Sequence, residues 1–197
     1  MLLVSPEFSI WKTLVGAAEG EVLEKSLECW QKEVRQSLGI STTKPIVIVG
    51  HQPTFFHPGI LAKFIAANRL EQEIDGELIY LVVDHHKGTV GCLKTPQQEV
   101  EVAILDPEVA MIDQQRVEAC VDIEPFATAL HTAVGKNAAM QFANAAVHLM
   151  APWVSVHHVI ASSELLQTPF GKAVVNEMQT RPQLCIDAYN SAAESYP

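Results

Sequence analysis

Two imidazoles and a glutamine share one short run, Gly50-His51-Gln52-Pro53-Thr54-Phe55-Phe56-His57-Pro58-Gly59. Imidazoles titrate near neutral pH, so this run can move protons or neutralise a developing anion. Gly50 allows close backbone approach or a positive φ. Pro53 and Pro58 stiffen the run, and Gly59 stands where a helix would begin. The free N–H groups of a helix start can hold phosphate or carboxylate. Lys63 adds a cation shortly after. His51, His57 and Lys63 are therefore the catalytic candidates, with Gly50, Gln52 and Gly59 as ligand-binding neighbours.

Two further runs carry the same kind of residue. Asp84-His85-His86-Lys87 offers a carboxylate beside two imidazoles. Such a set could ligate a divalent metal, although adjacent side chains point in different directions, and no bound metal is expected. Ser162-Ser163 offers hydroxyl and backbone N–H groups for a phosphate, or a plain helix N-cap. His157 and His158 fall inside an apolar run and are expected on opposite faces of a strand.

The elements that must position these residues follow from periodicity. Glu21 to Leu38 has Leu23, Leu27, Trp30, Val34 and Leu38 at helical spacing, with Gly39 as its stop. Pro45 to Gly50 is a β-branched run expected to be buried on both faces. Ile60 to Leu70 reads as a helix, and Leu78 to Val83 as a second buried strand after an Asp75-Gly76 turn. Strand, helix and strand in this order make a parallel βαβ unit. Glu99 to Asp106 alternates, with Val100, Val102 and Ile104 on one face, as a half-exposed edge strand or inserted hairpin. Phe126 to Met150 is helical with a break near Gly135. Trp153 to Ala161 is a third core strand, Ser162-Ser163-Glu164 opens a helix, and Pro182 to Tyr196 forms the last one.

The fold class expected from this order is α/β, a three-layer Rossmann-like domain with a mostly parallel sheet and a helical C-terminal extension. In such sheets ligands bind at the carboxyl ends of the strands. Gly50-His51-Gln52, Asp84-His85-His86 and Ser162-Ser163 all follow predicted strands, so they are expected to line a common cleft. Residues 1–197 are expected to form one domain, the N-terminal part of a longer protein.

Composition narrows the partners. The net charge of −10 and the lack of any Lys/Arg cluster oppose nucleic acid and an anionic membrane surface. Asn137 to Ser163 has no charged residue but holds Asn, Gln, Pro and His, which opposes a membrane span. Cys29, Cys92, Cys120 and Cys185 form no Cys-x-x-Cys pair, as expected of free thiols in the cytoplasm. A small-molecule ligand is the expected partner, with room for a homo-oligomer. Glycine-rich dinucleotide and P-loop motifs are absent, as is a Gly-x-Ser-x-Gly elbow.

Pro53 to Leu61 resembles the His-x-Gly-His loop of the nucleotidylyltransferase superfamily, which grips a nucleotide triphosphate after the first strand. Ile160 to Leu166 is similar to that superfamily's late Ile-Ser-Ser-Thr-type motif. Val49-Gly50-His51-Gln52-Pro53 through Lys63, with Val83-Asp84-His85-His86, more closely resembles the cysteine-adding ligase family of bacillithiol synthesis. That family has a Gly-Gln-Gln-Pro-type loop and an acidic strand exit on a Rossmann-like core. Ile60 stands where the second histidine of His-x-Gly-His belongs, and His86 where the ligase pattern has Asp. These resemblances imply a transferase- or ligase-like enzyme using ATP or another nucleotide. Asp84-His85-His86 also echoes the Asp-His-His phosphoesterases, without their early Asp-x-Asp motif. The rival expectations are a metal-dependent hydrolase on Asp84, His85, His86 and His51, and a non-catalytic binding module.

Overall fold

The computed structural model describes residues 7–16, 19–53, 58–87, 92–94, 99–101, 103–120 and 124–195. His57, with Thr54 to Phe56, lies outside the described residues. The strands are β1 (Glu21–Val22), β2 (Lys25–Ser26), β3 (Ile46–His51), β4 (Glu77–Val82), β5 (Cys92–Lys94), β6 (Glu99–Glu101) and β7 (His158–Ala161). The longer helices are α2 (Leu27–Leu38), α3 (Pro58–Ile74), α5 (Ala138–Met150), α7 (Pro169–Thr180) and α8 (Pro182–Ser195). Shorter ones are α1 (Phe8–Trp11), α4 (Phe126–Thr132) and α6 (Ser162–Gln167). The chain is α/β, and it divides into two compact units.

The first unit, residues 1–16 and 43–163, contains a three-stranded parallel sheet in the order β3-β4-β7. β4 is central and buried on both faces, with Leu78, Ile79, Tyr80 and Val82 all sealed from solvent. One face packs Val49, Leu78, Tyr80 and Val82 against Phe64 of α3 and Ala143 and Met150 of α5. The edge of the Phe64 ring meets Tyr80, centroids 5.2 Å apart. A second cluster joins Ala103, Leu105 and Met111 to Leu130 of α4 and Phe142 of α5. Gln141, fully buried, ties the two sides of this cluster. Its amide accepts from Val117 N and donates to the carbonyls of Val117 and Leu130.

Several sequence expectations are corrected. β3 is not buried on both faces: Val49 is enclosed, but Ile48 is 59% exposed. β3 is an edge strand, and among the described residues the packed cluster lies on its Val47 and Val49 face, whereas Ile48 points to the other. In the alternating segment the phase is reversed after Glu101. Ala103 and Leu105 are buried and Ile104 is exposed, because the chain leaves the short β5–β6 hairpin and packs onto α4 and α5. β7 begins at His158, not at Trp153, which is exposed in a turn after α5. The α4–α5 break is wide, and α5 is capped by Asn137, whose side chain accepts from Met140 N at 3.0 Å.

The second unit, residues 17–42 and 164–197, is helical. Its first helix is shorter than periodicity suggests. Leu23 and Glu24 take positive φ and close a hairpin between β1 and β2. Ser26 then caps α2 by accepting from Cys29 N. Trp30 donates its indole N–H to Val22 O, stacks under Lys25 and meets Phe170 of α7. The helix expected to open at Ser162-Ser163-Glu164 is two helices, α6 and α7, because Thr168 interrupts it and caps α7 by accepting from Gly171 N. Among the described residues, no helix is long and apolar enough to cross a membrane.

Candidate functional site

Register brings the three polar exits together. His51 of β3 pairs with Val82 of β4, and Val82 pairs with Ala161 of β7. Three parallel strands therefore end on one line, and the residues that follow them emerge at one edge of the sheet. α3 follows β3 and returns to the start of β4, so its N-terminus lies at this same edge. Gly50, His51, Gln52, Gly59, Asp84, His85, His86, Ser162 and Ser163 all belong to it. The whole edge lies within the first unit.

The first exit is tethered from below. Tyr80, on β4, points into the core and donates its phenol to Gln52 O at 2.8 Å. Burial pushes this phenol well above its ordinary value. Val83 N donates to His51 O, which extends the β3–β4 ladder one step past the strands. His51 Nδ1 lies 3.1 Å from Gln52 O. A carbonyl only accepts, so this nitrogen carries the proton. Gly50 has no left-handed φ, and a Cβ there would only touch Leu81 O at 3.9 Å. Of the two uses that the sequence allowed, the positive φ is not taken, and no contact among the described residues requires glycine at this point. Lys63 is exposed in the second turn of α3.

The second and third exits form a single cluster. Asp84 is 1% exposed and accepts from three donors. Ser162 Oγ donates to Oδ1 at 2.7 Å, Ser163 N donates to Oδ1 at 3.2 Å, and Ser163 Oγ donates to Oδ2. Burial alone would raise its pKa, but the Ser162 and Ser163 donors outweigh it and hold the carboxylate below the ordinary range. His85 Nδ1 lies 3.3 Å from Ser162 Oγ. The turn is also fixed by its backbone. Ile112 N donates to Asp84 O and Met111 N donates to His86 O, both at 2.9 Å.

Serine was expected to cap α6 or to face a phosphate. The cap comes instead from Asp84 in the turn after the neighbouring strand β4, and both hydroxyls point at it. A carboxylate accepts more strongly than a hydroxyl, and strand register brings it within reach. Tyr80 and the loop at Met111–Ile112 were missed in the sequence. A tyrosine at a core-facing strand position is a usable signal, since buried phenols need partners. The Met111–Ile112 contact has no local signal.

His157 was expected inside the strand with His158, but it precedes β7, and only His158 lies in it. His157 Nδ1 accepts from Leu78 N at 3.1 Å and its Nε2 faces Glu71 at 3.7 Å, while His158 Nε2 faces Glu77 at 3.5 Å. Both stand at the opposite end of the sheet from the polar exits. Among the described residues no three His, Cys, Asp or Glu side chains are placed to hold a metal ion. Comparison with protein-family models, with curated proteins and with solved structures gives no match to this chain.

Proposed function

We propose that this protein binds a phosphorylated or otherwise anionic small metabolite, with a nucleotide such as ATP the first candidate. The site is the carboxyl edge of β3, β4 and β7, and the activity is of the transferase or ligase type. The observation that carries the reading is the shared ending of three parallel strands, each followed by polar or ionisable residues. In open parallel sheets this edge is where ligands bind. The N-terminus of the 17-residue α3 supports it, since its dipole favours an anion on a chain of net charge −10. His51 and Gln52 hold the ligand, Lys63 and His57 neutralise its charge, and Gly50 leaves room for its approach. The sheet belongs to a three-layer Rossmann-like core acting in the cytoplasm.

Thermal shift with ATP, CTP, pyrophosphate and sulfate at fixed ionic strength tests this. A ligand that binds only the folded state raises Tm with its concentration. His51→Ala, His57→Ala and Lys63→Ala should each reduce that stabilisation, by roughly 1–3 kcal/mol where a charge-assisted bond is lost. Gly50→Ala should keep its own stability and lose the response, because nothing among the described residues crowds a Cβ there. Indifference to all four ligands, or an equal response in every variant, removes the proposal.

A further inference from the structure

We infer that Asp84, Ser162 and His85 form a directed relay that holds His85 as its Nδ1–H tautomer. The bare Nε2 of His85 is then the proton acceptor for a hydroxyl, amine or thiol of the bound metabolite. The direction follows from counting protons. An ionised carboxylate only accepts, so the 2.7 Å contact to Asp84 Oδ1 takes the one proton that Ser162 Oγ has. If that proton turned to His85, an oxygen lone pair would face a buried carboxylate oxygen at 2.7 Å. The shorter, charge-assisted bond prevails. Ser162 Oγ can then only accept from His85, whose Nδ1 at 3.3 Å must supply the hydrogen.

A neutral imidazole has one N–H, so Nε2 keeps its lone pair. His85 is exposed at the edge where the strands end, while Asp84 and Ser162 behind it are 1% exposed and half-buried. When Nε2 takes a proton from the ligand, the Nδ1–H bond to Ser162 stays in place. No proton moves down the relay, and the ligand group is left as an anionic or neutral nucleophile. The imidazolium charge is balanced by Asp84 through the hydroxyl. His85 is the catalytic residue of this step, and Ser162 and Asp84 are its positioning residues. The assignment of the proton acceptor rests on the ligand site proposed above; the tautomer does not.

The test is a long-range ¹H–¹⁵N spectrum of the whole ¹⁵N-labelled chain at pH 8, with the imidazoles assigned by single His→Gln variants. His157 is an internal reference. Leu78 N donates to its Nδ1, so it must show the Nε2–H pattern wherever the fold is intact. His85 should show the opposite pattern, with a pyrrole-like Nδ1 and a pyridine-like Nε2. Ser162→Ala should return His85 to the Nε2–H form that free imidazole prefers, without changing His157. Ser162→Thr should restore the wild-type pattern. A wild-type His85 in the Nε2–H form overturns the relay, even if Ser162→Ala fails to fold. So does an unchanged His85 in a folded Ser162→Ala. These spectra need no ligand, so a failed ligand screen and a failed relay are separate results.

Discussion

Asp84 carries three functions at once: it ends the central strand's exit, caps α6 beside it and orients two serine hydroxyls. Its bonds are charge-assisted, so replacing it leaves several donors poorly paired. Asp84→Asn should lower unfolding stability at pH 7 by about 2–4 kcal/mol, given charge-assisted bonds and a buried site. The pH dependence has a definite sign. The folded pKa lies below the ordinary aspartate value of about 3.9, so the contribution is complete above that value. It is lost as pH falls through the lower folded value. The gap between wild type and Asp84→Asn in urea titrations should therefore be constant from pH 5 to 7 and close in stronger acid. A gap that widens in acid would contradict the assignment.

At the scale of elements, close approach decides where glycine is required. At the start of α7, a Cβ on Gly171 would meet Leu165 O at 2.4 Å and Leu166 Cα at 2.7 Å. These are backbone atoms of α6 that cannot rotate away. The turn between the two helices is closed by Gly171 N donating to Thr168 Oγ1. Gly171→Ala should destabilise by about 1–3 kcal/mol, the usual range for overpacking, even though alanine is the better helix former. Thermal unfolding checks this, and an unchanged or raised Tm would mean that α6 and α7 are farther apart. Gln141 shows the same logic with polar groups. Two bonds from one buried amide hold Val117 of the 103–117 segment onto α5 and a third ties α5 to Leu130 of α4, which supports the Met111–Ile112 backbone that fixes the Asp84 turn.

Across the whole molecule, burial is uneven, and stability should follow it. β4 is enclosed on both faces, whereas α8 from Pro182 to Glu194 is exposed except for a half-buried Cys185. An isolated helix of this length is marginal in water. Native-state hydrogen exchange should find the amides of Leu78 to Val82 opening only with global unfolding. Those of α8 should exchange orders of magnitude sooner. Equal protection in the two elements would show that α8 is covered by something in solution.

The α/β class, the βαβ unit, the order of β3, α3, β4 and β7 and the three polar strand exits were legible in the sequence, whereas the β1–β2 hairpin and the break between α6 and α7 were not. Strands and helices of a parallel sheet carry local signatures: β-branched runs, helical spacing and Gly or Pro at their ends. A strand's carboxyl end is set by the chain itself, so residues after Gly50, Val83 and Ala161 could be nominated without coordinates. Burial of β3 could not be read, because Ile48 has the same side chain whether or not a neighbour covers it. Nor could the phase at Ala103 to Leu105, which depends on what α4 and α5 present. The cluster at the edge is the clearest case. Asp84 and Ser162 are far apart in the chain, and only the register His51–Val82–Ala161 brings them within hydrogen-bond reach. Residue types showed which groups could do chemistry, but tertiary structure decided which of them bond to one another, because hydrogen-bond direction depends on distances that local sequence does not encode.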